Sequence, residues 1–268
     1  MLVCTLGDQT LDVVVRLSGP IAEGGDTDAE ILVAPGGQAA NVAAWAAALG
    51  ARARTIGKRG SDDAGRLVRA GLEARGVEVL GPEEARNGVI CSLVSPDGAR
   101  SMAADRASGG ELHADELEEA WLDGCEHLFV SGYALLREPA RGAAFRAVEL
   151  ARARGAAVST DLSTWSAIRD AGADEIRDVV LELAPDTVFA NEDEERIVGG
   201  PFPGMTWITK RGAQGASFAG DERAAVPVER VVDSTGAGDA LAAGWIVGGP
   251  DLALEAAARC VSQLGSLP

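Results

Sequence analysis

At 268 residues, 47% of them hydrophobic, the chain is long enough to bury a substantial core. Its formal net charge of −17 excludes the basic surface that nucleic acids and anionic membranes call for. A nucleotide is still admissible, because it needs only a local cluster of amides, one or two cations and a metal ion. Cys4, Cys91, Cys125 and Cys260 show neither metal-type spacing nor a disulfide framework, and they read as reduced thiols of a cytoplasmic protein. The N-terminal MLVCTLGDQT carries no basic leader, and the most apolar run, 39–51, is too short to span a bilayer and contains Asn41.

In chain order, residues 1–7 read as a strand, followed by Asp8 and Asp12 and a second strand, DVVVRL. The two acids are either solvated turn residues or acceptors for substrate hydroxyls. A third strand over 29–33 leads into Pro35-Gly36-Gly37 and a helix over 38–49, near whose start Asn41 either caps the helix or binds hydroxyls. ARARTIGKRGSDDAGRLVRAGLEARGVEV reads as strand, loop, helix and strand, with Asp62 and Asp63 as turn and cap residues. Alternating strands over 87–105 surround Ser95-Pro96-Asp97-Gly98, a strong turn signal, so a hairpin here and the strands near 11–17 and 29–33 should form a small second sheet.

From Cys125 onward strand and helix alternate: CEHLFVSGY, a helix over 139–154, AAVSTDL, a helix over 171–183, and TVFAN ending at Asn191. Such alternation calls for a parallel sheet with helices on both faces and a ligand site beyond the strands' carboxyl ends, where Asp161 and Asn191 fall. NEDEE opens a short helix, and TWITKRGAQGASFAG gives a strand, a glycine turn and another strand. His113 and His127 lack metal spacing and read as a helix-start and a strand-edge residue. The five tryptophans read as packing positions.

The stretch around which the chain is organised is VVDSTGAGDALAAG, 231–244, read as a strand, a Gly-Ala-Gly turn and a helix start. Glycines let successive amides converge on one point, and the helix start adds unsatisfied N–H groups that suit developing negative charge. Asp239 is either a helix-cap residue or a base that takes a proton from an attacking hydroxyl. A dinucleotide fingerprint is excluded because Leu241 stands where a third glycine is needed. A Walker loop is excluded because Arg52 stands five residues before Gly57-Lys58.

VVDSTGAGDALAAG resembles the C-terminal signature of the ribokinase-like (PfkB) carbohydrate and nucleoside kinases, and matching stretches run along nearly the whole chain. The resemblance implies an α/β fold, a ribokinase-like three-layer sandwich with a central mostly parallel sheet. A small β-sheet lid joins it within a single domain spanning 1–268, its strands falling within 11–33 and 87–106. It implies an ATP-dependent phosphotransferase acting on a sugar or sugar-like hydroxyl, with Asp239 as general base and Gly236, Ala237 and Gly238 holding the developing charge. By the same resemblance the GDxxxD stretch assigns Asp12, but not Asp8, to substrate. PGGQAANVAAWAAALG assigns Gly37 and Asn41, and DRASGGEL brings in Arg106, either as a substrate contact or as surface charge.

On the nucleotide side the resemblance implies Asn191, Thr209, Gly212 and Gly215, with Lys210 and Arg211 either near the phosphates or pointing to solvent. Glu194 would meet Mg²⁺ through water, and Asp233 and Thr235 would hold K⁺. The runner-up activity is a nucleoside kinase, which a more apolar or aromatic lid would favour, and the alternative of another class is a sugar-binding sensor without turnover. A homodimer through the lid is expected if its strands pair between chains. The chain ends soon after a single helix following Asp239, so the adenine pocket is expected to be shallow.

Overall fold

The computed structural model describes residues 1–96 and 100–268. The N-terminal half comprises β1 (Leu2–Leu6), β2 (Thr10–Leu17), β3 (Ala29–Gly36), α1 (Gln38–Ala48), β4 (Arg52–Ile56), α2 (Asp63–Glu73), β5 (Val77–Leu80), β6 (Val89–Val94) and β7 (Arg100–Asp105). After three short 3₁₀ turns come β8 (His127–Ser131), α3 (Gly132–Leu135), α4 (Ala140–Ala153), β9 (Ala157–Asp161), α5 (Trp165–Ala171) and α6 (Ala173–Leu183). The remainder is β10 (Thr187–Asn191), α7 (Glu192–Val198), β11 (Thr206–Lys210), β12 (Ala216–Phe218), β13 (Asp221–Arg223), α8 (Ala237–Gly248) and α9 (Pro250–Val261).

Nine strands form one sheet in the order β13-β12-β11-β10-β9-β8-β1-β4-β5. From β5 to β11 every pairing is parallel, and β12 and β13 close the far edge antiparallel. The inner strands carry apolar residues on both faces because both faces are covered; all five residues of β1 and of β8 are buried. Val3, Phe129, Phe189 and Ile208 pack on one face with α1, α8 and α9, whereas Leu2, Leu6, Leu128 and Val130 pack on the other against α4. The layers are those expected from the alternation of strands and helices.

Four strands make the second sheet, in the order β3-β2-β6-β7. β2 and β3 are antiparallel, β2 and β6 parallel, β6 and β7 antiparallel. The expected turn at 95–98 reaches residues 97 and 98, which lie outside the described residues. The cap of α2 falls one residue earlier than expected, on Asp62, whose carboxylate accepts from Gly65 N at 3.0 Å, while Asp63 opens the helix.

Several local expectations change. Val231 and Val232 form no strand: the Val232 N–H donates to Val261 O at the end of α9, so the segment pairs with a helix end and not with the sheet. Two helices follow the glycine turn, broken at Gly249 with Pro250 opening α9. His127 stands at the start of its strand, β8, which lies inside the sheet; it bonds Ser159 Oγ at 2.8 Å, and burial lowers its pKa to about 4. Trp165 is not a packing residue, since 44% of its surface is exposed. No helix among the described residues is long and apolar enough to cross a membrane.

Candidate active site

A cavity of about 1110 Å³ opens where the carboxyl ends of the parallel strands meet the inner face of the small sheet. Asp12, Ile90, Met102 and Ala104 line it from the small sheet, Asn191 and Lys210 from strand ends, and the 235–239 stretch from the start of α8. The volume suits two small molecules held end to end. Of the residues singled out in the sequence, Asp12, Gly37, Asn41, Arg106, Asn191, Glu194, Gly212, Gly215, Thr235, Gly236, Ala237, Gly238 and Asp239 all border this one cavity.

Gly236 precedes α8 with φ 77°, and a Cβ there would lie 2.5 Å from Ser266 Cβ, so the turn admits only glycine. The first N–H groups of α8 face the cavity without intrahelical partners, as at any helix start, and with the dipole they form an anion cradle. Asp239 sits in that first turn. Asn41 Nδ2 donates to its Oδ2 at 2.7 Å, across 198 residues of sequence. The amide is fixed from behind, because Ser266 Oγ donates to Asn41 Oδ1 at 3.1 Å and Trp45 Nε1 to Ser266 O at 2.8 Å. Burial pushes the Asp239 carboxyl up to about 7; Asp161 adds to the rise, while Asn41 and Lys210 pull against it. A carboxyl so poised accepts a proton near neutrality.

Asn191 and Glu194 form a reciprocal cap at the start of α7. Asn191 Oδ1 accepts from Asp193 N and Glu194 N, while the Glu194 carboxylate accepts from Asn191 N and Nδ2, both at 2.8 Å. Burial raises the Glu194 pKa, with Lys210 drawing it down. No group of three or more acids, histidines or cysteines among the described residues could hold a metal by itself. The single buried Glu194 carboxylate nevertheless fits Mg²⁺, which keeps several waters and takes ligands from phosphates. Asp233 fits a K⁺ site poorly: it lies off the cavity wall, and its oxygens already accept from Thr235 N, Thr235 Oγ1 and Gly265 N at 2.6–3.0 Å.

Alternation along β11 decides between its neighbours. Thr209 turns away from the cavity, its Oγ1 donating to Glu195 Oε2 at 2.5 Å, so it does not line the pocket. Lys210 turns in. Arg211 points out, toward Glu192 and Glu222.

Sequence reasoning passed over three contributors, Asp8, Tyr133 and Gln38. Asp8 is 5% exposed and lines the cavity, with Arg106 Nη1 2.9 Å from its Oδ2. Burial carries the Asp8 carboxyl to about 6 against the pull of Arg106, and burial does the same for Asp12 against a hydrogen bond from Thr10. The Arg106 guanidinium also stacks 4.4 Å above the ring of Tyr133, itself a wall residue. Gln38 turns its Oε1 to three donors, Ser131 Oγ, Gly132 N and Ser163 Oγ, so its carboxamide orientation is fixed. Only the GDxxxD spacing hinted at Asp8; for the others no local signal exists. Gly37, with φ 97°, packs directly on the Asp8 carbonyl, which leaves no room for a Cβ.

The sequence model of the pfkB family carbohydrate kinases matches residues 2–267. The chain belongs to that family. Among its relatives, Fructokinase-1 of Zea mays is 31% identical over 266 residues, covering 89% of this chain and 80% of that protein. An ATP-dependent ribose-1-phosphate kinase of Halopiger xanaduensis is 31% identical over 278 residues, with 96% and 90% covered. A candidate Ribokinase II from Escherichia coli, solved in complex with ATP and Mg²⁺, superposes with a TM-score of 0.83 at 25% identity, covering 98% of this chain and 94% of that one. As a pfkB carbohydrate kinase of ribokinase-like fold, the protein transfers a phosphoryl group to a small-molecule acceptor.

Proposed function

We propose that the protein uses ATP and Mg²⁺ to phosphorylate a hydroxyl of a sugar or sugar acid, with Asp239 as general base. One observation carries this reading: a carboxyl with its pKa near 7, oriented by Asn41, stands in the first turn of a helix whose amides face the same cavity. The acceptor's hydroxyl lies between Asp239 and the lid, where Asp8, Asp12 and the Gln38 amide offer acceptors and a donor. The amides of Gly236, Ala237 and Gly238 hold the charge that develops on the transferring group. Asn191 and Glu194 would hold Mg²⁺ through its water shell, and the ion supplies charge neutralisation between the donor phosphates.

The family's sugar kinases and the ATP–Mg²⁺ complex of the E. coli relative support the choice of donor. No aromatic residue occurs in β2, β3, β6 or β7, which favours a sugar over a nucleoside as acceptor. K⁺ is left out of this mechanism, because Asp233 lies off the cavity wall and its oxygens already accept three hydrogen bonds. All four cysteines are free, which suits a reducing cytoplasm. The small sheet's other face, with Val13, Val15, Ile31 and Val33, is apolar, and Ile31 and Val33 are 61% and 52% exposed. A second copy of the chain covers it in this reading.

The test is ADP release from ATP and Mg²⁺ against pentoses, hexoses, sugar acids and nucleosides, in K⁺ and in Na⁺ buffers. Turnover with a sugar or sugar acid, equal in the two buffers, is expected. Sugar-induced thermal shifts without ADP release from any acceptor would point to a binding protein instead.

A further inference from the structure

Lys210 ends β11 with its side chain 16% exposed and turned into the cavity. Its Nζ lies 2.6 Å from Asp161 Oδ2 and only 3.3 Å from where a Cβ on Gly238 would stand, so the ammonium rests against the glycine turn that forms the anion cradle. Asp161, 1% exposed, is itself held, with Ser163 N donating to its other oxygen at 3.0 Å. Burial works against the ammonium, but Asp161 and Glu194 outweigh it and keep Lys210 charged. An ammonium carries three donors; Asp161 takes one, and no second side-chain acceptor binds it among the described residues.

The cavity's other lysine or arginine, Arg106, is committed to Asp8 at the lid end. At the turn end Asp161, Glu194 and Asp239 therefore face a single side-chain cation. A buried ion pair with two ammonium donors left over is costly as a stabilising device, because hydrophobic replacements usually do as well. Its placement makes sense as a fixed positive charge for an incoming anion.

Building on the reading of the site above, we propose that Lys210 is a catalytic residue that binds the terminal phosphoryl group of the donor and stabilises its charge during transfer, with Asp161 as the positioning residue. The acceptor oxygen forms a bond to the terminal phosphorus while the bond from that phosphorus to the bridging oxygen breaks. The electron pair leaves with the diphosphate, and the hydroxyl proton goes to Asp239. Lys210 follows the transferred group, its two remaining N–H donors bonding the non-bridging oxygens beside the turn amides.

The test measures calorimetric binding of AMP-PNP and of ADP, each with Mg²⁺, to wild type, Lys210→Met and the double variant Lys210→Met/Asp161→Asn. It is paired with turnover on whichever acceptor the panel gives. Lys210→Met is expected to weaken AMP-PNP at least tenfold, leave ADP within about twofold and lower kcat at least 100-fold with the sugar KM unchanged. The double variant removes both charges, so it keeps the fold even if Lys210→Met alone unfolds from an uncompensated Asp161. It should show the same loss of AMP-PNP affinity. Wild-type affinity for AMP-PNP in either variant would make Lys210 structural and overturn the proposal. Intact AMP-PNP binding by wild type without turnover on any acceptor would sink the kinase reading alone. Failure of wild type to bind AMP-PNP would overturn both.

Discussion

The two ends of the cavity are built differently. At the turn end every polar group is cross-braced: Asp239 by Asn41, Asn41 by Ser266, Lys210 by Asp161 and Asp161 by Ser163, all on or beside elements rooted in the nine-stranded sheet. At the lid end one ion pair, Arg106 with Asp8, spans the gap between the body and the small sheet, and Arg106 remains 39% exposed. The contrast separates chemistry from selection. In the proposed mechanism phosphoryl transfer draws on preorganised charge, which a deep sheet supplies, whereas acceptor choice falls to a four-stranded sheet that can vary without disturbing Asp239.

Breaking the rigid end gives the largest effect. Asp239→Asn keeps the hydrogen-bonding shape but removes the base, and kcat is expected to fall about 10³-fold or more. Wild-type kcat/KM should fall with one proton as pH drops through about 7, where Asp239 becomes protonated. The folded pKa lies above the unfolded 3.8, so Asp239 ionisation costs stability as pH rises from there through about 7. Asp239→Asn should therefore be more stable than wild type at pH 8, on the order of 3 kcal/mol, and lose that advantage toward pH 4. Thermal unfolding across that range measures it, and a less stable variant at pH 8 would contradict the burial argument.

A change at the other end sharpens the contrast. Arg106→Gln should raise the acceptor KM about tenfold, the worth of one charge-assisted hydrogen bond, with kcat within about twofold. A fall in kcat as large as that for Asp239→Asn would erase the division between the two ends. The smallest effect on chemistry belongs to the lid's outer face, where Val33→Arg should turn a dimer into a monomer in light scattering while leaving kcat per chain within about twofold. A wild-type monomer at micromolar concentration would refute the covered face.

The sequence carried the layered fold because strand and helix periods alternate cleanly and glycines punctuate them. It also carried the turn, Asp239 and Asn41, which lie in compact local patterns. It did not carry Asp8 with Arg106, 98 residues apart, or Lys210 with Asp161, 49 apart, because ion pairs have no sequence spacing and form only where topology brings strand ends together. The TxGxxG resemblance puts Thr209 on the nucleotide side, but the two-residue period of β11 sends its side chain the other way and Lys210 inward. Val231 and Val232 have strand-like side chains, yet propensity does not make a strand without a neighbour to pair with.

The contact between Asn41 and Asp239 has a consequence for how the molecule comes into being. Its partners are separated by 198 residues, and Ser266, which steadies Asn41, lies further still. Closing so large a loop is entropically late, so the nascent chain carries its first signature through most of synthesis with no base beside it. Until α8 docks on α1, a partly made protein has no poised carboxyl with which to spend nucleotide. The packing of α8 on α1 is thereby also what sets the carboxyl beside its amide partner.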